Sequence, residues 1–165
     1  MVRTGLWGGS AVFGLFLALS VSTKPVVFPA HQQELVLPEV PTVSLPPVQE
    51  VSCLAKNIYF EARGEPELGQ RAVAFVTLNR TKSGSFPSTI CDVVYQKTDG
   101  FCQFAWVCTG LKVLDQVAFD KAYQLAYDTI AAAPDDPTHG ALYFNTTPFK
   151  YKHKTAHIGN HIFYK

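Results

Sequence analysis

Glu61 is the residue of this 165-residue chain whose setting points most directly to acid–base chemistry. At about 100° per residue, Leu54, Ile58 and Glu61 fall on one face of a helix, so the carboxylate shares a core-facing stripe with two aliphatic side chains. A carboxylate that is removed from water raises its pKa and keeps its proton unless it gains a partner. Because an acid that is still protonated near neutral pH can donate that proton, the pattern predicts a general acid.

The residues alone leave a second interpretation of this glutamate open. A buried glutamate can also be a core residue paired with an arginine, and Arg63, Arg71 and Arg80 follow it closely in the chain. Helical periodicity does not distinguish a structural ion pair of this kind from a catalytic acid.

The predicted acid must be positioned by two helices that meet at a corner, where a cleft can open. Ser52 is suited to cap a first helix that begins near Cys53, and Gly64 is suited to end it in a left-handed conformation. Pro66 fits the first turn of a second helix that runs to about Arg80. We expect that second helix to bury its apolar residues, which are Leu68, Ala72, Val73, Phe75, Val76 and Leu78.

The rest of the chain indicates a mixed fold in which helices dominate. Residues 114–132 have apolar side chains at helical spacing, and 141–144 are typical of a strand. The pair Gly159-Asn160 is a two-residue hairpin signal between two further strands. Glu65 stands on the corner between the first two helices, where we expect a solvated or capping carboxylate. The predicted fold class is therefore α+β and mainly helical, with a small C-terminal β-hairpin or sheet.

The N-terminal part predicts export. Arg3 precedes an apolar run at 5–21, which is typical of an export signal, and six prolines fall within 24–50. We predict a signal peptide or signal anchor at 1–23, an extended Pro-rich linker at 24–50 and a catalytic domain at 51–165. The predicted location is the periplasm or cell envelope. Cleavage of the signal and its retention as an inner-membrane tether are both left open.

The cysteine count predicts disulfides, and the charge balance argues against one class of binding partner. Four cysteines in a small exported domain indicate disulfides, and of three possible pairings we favour Cys53 with Cys91 and Cys102 with Cys108. The chain has 14 Lys and Arg against 13 Asp and Glu, and this balance argues against nucleic acid as a partner.

Several motifs that follow one another along the chain resemble one known family. They are Glu61-Ala62-Arg63-Gly64-Glu65-Pro66, Gly69-Gln70, Leu78-Asn79-Arg80, Phe86-Pro87, Gln103-Phe104-Ala105-Trp106, Gly140-Ala141-Leu142-Tyr143-Phe144 and Ile158-Gly159-Asn160-His161-Ile162-Phe163-Tyr164. Over about 51–165 the chain resembles the SleB/CwlJ-type cell-wall hydrolases, which include spore cortex-lytic enzymes. The resemblance implies a lysozyme-like, lytic transglycosylase-like domain that cleaves the glycan strands of peptidoglycan, with its catalytic glutamate at Glu61. Ala105 departs from the family pattern, where we expect a serine in many relatives.

Sugar-binding residues are expected near the predicted Cys102–Cys108 loop and on the strand after 140. Gln103, Phe104 and Trp106 combine an amide with aromatic faces, which suits a sugar ring, and we expect one of the two aromatic residues to be core and the other to line a groove. The resemblance suggests that Tyr143 and Asn145 line the groove as well.

Rival chemistries have weaker support in the sequence. His153, His157 and His161 recur at intervals that would make a metal face on a helix, but Gly159-Asn160 interrupts that helix, so we predict no metal and no cofactor. A cysteine-dependent murein peptidase would use Cys53, which we expect to be in a disulfide. A peptidoglycan-binding module without catalysis would not need an acid in the position of Glu61.

The predicted reaction is cleavage of the bond between N-acetylmuramic acid (MurNAc) and the β-1,4-linked N-acetylglucosamine (GlcNAc), by a protein that we expect to be a monomer. Hydrolysis requires a second carboxylate, and no other acid has a setting comparable to that of Glu61; Glu65, Asp92 and Asp99 are no more than candidates. A lytic transglycosylase does not require one, so the single acid favours that mechanism. A hydrolytic muramidase or glucosaminidase of the same fold is the alternative.

Overall fold

A computed structural model of the protein describes residues 22–26, 45–132 and 134–165. The chain divides into two compact units, Met1–Pro41 and Thr42–Lys165, and every described helix and strand lies in the second. Most of the predicted export signal at 1–23 and most of the predicted linker at 24–50 fall outside the described residues. Within the parts of the chain that are described, no helix has both the length and the apolar character needed to cross a membrane.

Five helices are described in the second unit, and the first of them lies at its centre. The helices are α1 (Val48–Ala62), α2 (Glu67–Lys82), α3 (Ile90–Val94), α4 (Ala105–Thr109) and α5 (Gln116–Ala132). Helix α1 packs against α2, α3 and α5. It carries the fully buried side chains of Leu54, Ile58 and Tyr59, around which the larger core cluster forms. Burial of that stripe fixes the rotation of α1, and with it the direction in which its last turn faces.

Two small antiparallel sheets complete the unit. Strands β1 (Lys97–Thr98) and β2 (Phe101–Cys102) form a short hairpin. Strands β3 (Tyr143–Asn145), β4 (Lys154–Ile158) and β5 (His161–Tyr164) form a three-stranded sheet in the order β3-β5-β4, with β5 buried throughout. The predicted hairpin at Gly159-Asn160 joins β4 to β5. The predicted mainly helical α+β class is confirmed.

The start of α1 differs from the prediction. The helix begins at Val48, so Ser52 lies inside it rather than at its cap, and Val48–Glu50 belong to the helix instead of the Pro-rich linker. Pro47 occupies the N-cap position with φ of −59°, a value that the proline ring fixes. The carboxylate of Glu50 accepts a hydrogen bond from the backbone N–H of Ile90 at 2.6 Å, which joins the first turn of α1 to α3.

The corner between α1 and α2 is also built differently from the prediction. Gly64 does not have a positive φ, so it does not end α1 in a left-handed conformation. Arg63 follows α1 in a right-handed conformation, and the N–H of Glu65 donates to the carbonyl of Ala62 at 2.8 Å. This turn reverses the chain without a positive φ. Leu68 is 54% exposed, so the predicted burial of the second helix is wrong at that position.

Both favoured disulfides are present in the structure. Cys53–Cys91 joins α1 to α3 with a Cα–Cα distance of 5.2 Å. Cys102–Cys108 joins β2 to α4 at 5.8 Å. The first bridge holds the helix that carries Glu61, and the second closes the loop that carries Gln103 and Phe104.

Candidate active site

Glu61 occupies the last turn of α1 and is half-buried. Its side chain borders two depressions in the surface. The larger, of about 580 Å³, lies between the α1–α2 corner and the β4–β5 turn, and we call it the cleft; it is lined by 60–65, Thr146, Asn160 and His161. The smaller, of about 170 Å³, is lined by Arg80, Gln103, Phe104, Ala105 and Phe144 as well as Glu61. Glu61 is therefore common to the two depressions.

The surroundings of Glu61 favour its protonated form. Burial raises its pKa above the ordinary value, and the positive charge of Arg80 opposes that rise only in part. Among the described residues, no cation is within ion-pairing distance of this carboxylate. Arg71 pairs with Glu67 at 2.8 Å, and Arg63 lies over the ring of Tyr59 at 4.9 Å. The alternative of a structural ion pair is therefore not what the geometry shows.

Arg80 is a buried cation beside the acid, with 3% of its surface exposed. Its Nε donates to the carbonyl of Leu142 at 2.8 Å, and its guanidinium carbon lies 4.8 Å from the ring centre of Phe86 and 5.4 Å from that of Phe104. Nη1 is buried without a hydrogen-bond partner among the described residues. Burial lowers the pKa of Arg80 to about 10, so it remains charged at neutral pH.

Glu65 fixes the far wall of the cleft. Its carboxylate accepts hydrogen bonds from the backbone N–H and the side-chain Nδ2 of Asn160, both at 2.9 Å. These bonds outweigh the effect of burial and lower the pKa of Glu65. They join the α1–α2 corner to the turn between β4 and β5. The sequence flagged both the corner carboxylate and the Gly159-Asn160 turn, but nothing in it indicated that they meet.

His161 is a residue of the cleft that the sequence raised only as a possible metal ligand. It is 6% exposed, and its Nδ1 is buried without a partner among the described residues. Burial lowers its pKa, so the imidazole is neutral at neutral pH. A neutral imidazole carries one donor and one acceptor, which suits a hydroxyl or acetamido group. Within the described ranges, no three His, Cys, Asp or Glu side chains are grouped as metal ligands would be.

The structure places two of the predicted sugar-binding residues beside Glu61. Gln103 is exposed and Phe104 is buried, and both line the smaller depression. Trp106 instead stacks on Phe60 at 4.6 Å between ring centres and lines a separate depression. Phe104 and Trp106 are 4% and 7% exposed, so both belong to the core, and the expectation that only one of them does is wrong.

Tyr143 and Asn145 are not among the residues that border the cleft or the smaller depression. Side chains alternate along a strand, and on β3 it is Phe144 that faces the smaller depression. The ring of Tyr143 lies 5.9 Å from the guanidinium carbon of Arg80 and 3.4 Å from Nζ of Lys152. A strand of three residues places its ends on the opposite face from its centre, and the sequence did not show which face was which.

A family model described as cell wall hydrolase matches residues 64–164 of the chain. The chain belongs to the cell wall hydrolase family. This membership confirms the resemblance found in the motifs. Because the match begins at Gly64, the role of Glu61 does not follow from it.

Individual members of the cell wall hydrolase family are similar to the chain in sequence. The spore cortex-lytic enzyme of Bacillus cereus is 36% identical over 122 residues, which are 70% of this chain and 44% of that protein. The enzyme of the same description from Oceanobacillus iheyensis is 34% identical over 134 residues, which are 76% of this chain and 46% of that protein. The chain thus spans less than half the length of these relatives.

Solved structures match the fold. The catalytic domain of the Bacillus cereus SleB protein superposes with a TM-score of 0.55 at 34% identity, over 73% of this chain and 95% of that domain. The catalytic domain of the germination-specific lytic transglycosylase SleB from Bacillus anthracis gives 0.57 at 34% identity, over 76% of this chain and all of that domain. These matches agree with the predicted lysozyme-like, mainly helical α+β domain.

Proposed function

We propose that this protein cleaves the glycan strands of peptidoglycan at the MurNAc-β-1,4-GlcNAc bond, with Glu61 as the general acid and then the general base. The observation that carries the proposal is the half-buried Glu61 carboxyl, whose pKa is raised by burial and which borders an open cleft of about 580 Å³. Membership of the cell wall hydrolase family supports the substrate.

The proposed reaction needs one carboxyl group in two protonation states. Glu61 donates its proton to the glycosidic oxygen, and the bond from the muramoyl anomeric carbon to that oxygen breaks. The 6-hydroxyl of the same muramoyl residue then forms a bond to its own anomeric carbon, and the Glu61 carboxylate takes the hydroxyl proton. The products are a 1,6-anhydromuramoyl end and a free 4-hydroxyl on GlcNAc, and Glu61 is again protonated.

Arg80 supports the ionised half of this cycle. When Glu61 has given up its proton, it becomes a half-buried anion, which a nearby buried cation stabilises. Arg80 borders the same depression as Glu61 and stays charged at neutral pH. Its hydrogen bond to the Leu142 carbonyl and its aromatic neighbours hold the guanidinium in place before the reaction begins.

Hydrolysis requires a second carboxylate, and none of the three candidates is both in the cleft and free to react. A hydrolase places its two carboxyl groups about 5–9.5 Å apart, with the second free to activate water or to attack. Glu65 lines the cleft, but Asn160 already occupies its two oxygens. Asp92 accepts a hydrogen bond from Thr89 at 2.7 Å, and Asp99 lies in the β1–β2 turn; neither borders the cleft. We therefore favour a lytic transglycosylase, with a hydrolase acting through Glu65 as the second candidate.

Two rival functions have less support. A cysteine-dependent peptidase needs a thiolate, but Cys53 is in a disulfide and is 1% exposed. A binding module without catalysis has no use for a half-buried carboxyl group of raised pKa at a cleft. The proposed place of action is the periplasm or cell envelope, as the disulfides and the family support; a membrane tether through the N-terminal segment stays a prediction.

Replacement of Glu61 tests the proposal. We expect full-length Glu61→Gln to fold normally and to lose glycan-cleaving activity on purified peptidoglycan by roughly a hundredfold or more. Glu67→Gln is the matched control, since Glu67 is an exposed carboxylate on the first turn of α2 that does not line the cleft. Near-normal activity of a folded Glu61→Gln protein would overturn the assignment. Peptide cleavage with intact glycan would overturn the choice of bond.

A further inference from the structure

A third depression, of about 360 Å³, shares Phe60 with the cleft. Its walls include Phe60, Tyr95, Trp106 and Leu111, and two lysines, Lys56 and Lys112, stand at its edge. We call it the lysine pocket. The proposed reaction at Glu61 does not use it.

Phe60 connects the lysine pocket to the cleft. The ring of Phe60 stacks on Trp106 at 4.6 Å between centres, and Phe60 borders both depressions. Tyr95 supports Trp106 from another side, at 5.9 Å between ring centres. The two depressions are therefore neighbours that share Phe60. A branch from a sugar in the cleft that runs past Phe60 would reach the lysine pocket.

The chemistry of the lysine pocket fits an anion with an apolar part. Among the described residues that line it, Lys56 and Lys112 are the charged ones, and both are positive. Nζ of Lys56 lies 3.5 Å from the hydroxyl of Tyr95, which places its charge at the aromatic wall. Leu111 is 59% exposed and Tyr95 is 39% exposed, so apolar surface is open beside the lysines. The indole Nε1 of Trp106 is a buried donor without a partner among the described residues.

We propose that the lysine pocket binds the stem peptide of the peptidoglycan strand whose sugars occupy the cleft. This inference rests on the proposed function. Stem peptides branch from the lactyl group of muramic acid, carry free carboxylates and contain apolar alanine side chains. The lysines meet the carboxylates, and Leu111 with the aromatic walls meets the apolar part. A neutral sugar would gain nothing from two cations, so charge favours the peptide over a further sugar.

The test compares two substrates rather than one. Two substrates are digested by the full-length wild-type protein and by Lys56→Gln/Lys112→Gln. One is intact glycan strands, and the other is strands stripped of their peptides by an amidase and then amidated at the lactyl carboxylates that the amidase exposes. We expect the double variant to lose about threefold to tenfold in kcat/KM on intact strands, as for two partly exposed charge contacts, and to stay within about twofold of wild type on stripped strands. Lys82→Gln/Lys121→Gln makes the same change of charge on exposed positions of α2 and α5 and is the control.

The outcomes separate this inference from the proposed function. Peptide binding by the lysine pocket would be overturned by any of three results for kcat/KM of the lysine variant. They are an equal loss on both substrates, no loss on either, and a loss that the control variant shows as well. Cleavage by the wild-type protein would stand in each case. A loss in the lysine variant on intact strands but not on stripped strands, with the control unaffected, would support peptide binding. If the wild-type protein cuts neither substrate, the proposed function fails and this inference fails with it.

Discussion

At the scale of single residues, the placement of Arg80 near Glu61, without an ion pair between them, decides what the site can do. Glu61 has no ion-pair partner among the described residues, yet a buried cation borders the same depression. An ion pair at contact distance would keep the carboxyl ionised and useless as an acid, whereas burial without a cation would make the ionised state too costly. The observed arrangement lies between these extremes, which suits a group that must first donate a proton and then accept one.

The pH dependence of cleavage follows from the raised pKa of Glu61. Because the free protein must hold Glu61 protonated, we expect kcat/KM to be high below that pKa and to fall as the pH rises through it. The fall should occur at a higher pH than for an ordinary glutamate. Initial rates at low concentrations of solubilised glycan strands, measured from acidic to alkaline pH, will show it. A fall centred in the ordinary carboxyl range would contradict the account.

Arg80 should set the position of that fall. Its charge lowers the pKa of Glu61, so Arg80→Met should shift the alkaline limb of the profile to higher pH as well as reduce the rate. Arg80→Lys keeps a charge, and its limb should lie closer to that of the wild type. A loss of packing alone would reduce the rate without moving the limb, and that result would remove Arg80 from the mechanism.

At the scale of elements, the cleft depends on two segments that are far apart in the chain and meet through Glu65 and Asn160. Gly159, beside Asn160, has φ of +60°, and a Cβ added there would collide with Glu65 Oε2. Position 159 therefore favours glycine for two separate reasons, which are the left-handed backbone conformation and the lack of room beside Glu65.

A Gly159→Ala variant separates these two reasons. We expect it to lose about 1–2 kcal/mol of unfolding free energy from the left-handed conformation and a further amount from the displaced Glu65. Urea unfolding of Gly159→Ala, Glu65→Ala and the double variant forms a cycle. In the Glu65→Ala background the cost of Gly159→Ala should be smaller, because the collision is gone. An equal cost in both backgrounds would show that the contact does not matter.

The two disulfides should differ in their effect on stability. The Cys53–Cys91 bridge spans 38 residues of separation and Cys102–Cys108 spans 6. Loop-closure entropy then predicts that Cys53→Ala/Cys91→Ala loses about 4 kcal/mol and Cys102→Ala/Cys108→Ala about 2 kcal/mol. Denaturant unfolding of the two double variants checks the order. A larger loss of unfolding free energy on removal of Cys102–Cys108 would contradict this prediction. It would show that native contacts, rather than the entropy of the unfolded chain, determine how much each disulfide stabilises the protein.

At the scale of the whole molecule, the sequence predicted what depends on local pattern. Helix α2, α5, the hairpin at Gly159-Asn160 and the setting of Glu61 all follow from periodicity and turn chemistry over a few residues. The start of α1 was predicted wrongly because Pro47, which has no capping side chain, occupies the N-cap position. Ser52 is a residue type common at N-caps, but it lies inside the helix. Gly64 was misjudged because the glycine at the corner does not need a positive φ.

Contacts between distant segments could not be predicted from the sequence in the same way. Which side of β3 faces Glu61 depends on how a three-residue strand pairs with β5, so Tyr143 and Asn145 were expected where Phe144 and Thr146 lie. Arg80 was considered as an ion-pair partner, but its aromatic surroundings come from three separate segments. The β4–β5 hairpin places His161 in the wall of the cleft. The same hairpin, signalled by Gly159-Asn160, was the reason for not predicting a helical metal face.

The measurement that tests the central claim most directly is mass spectrometry of the fragments that the oxidised, full-length protein releases from purified peptidoglycan, beside Glu61→Gln. The account predicts fragments with 1,6-anhydromuramoyl ends, lighter than hydrated ends by one water, and almost none from the variant. Hydrated reducing ends from the wild-type protein would contradict the transglycosylase mechanism and point to Glu65 as a second carboxylate. Fragments cut only in their peptides would contradict the account as a whole.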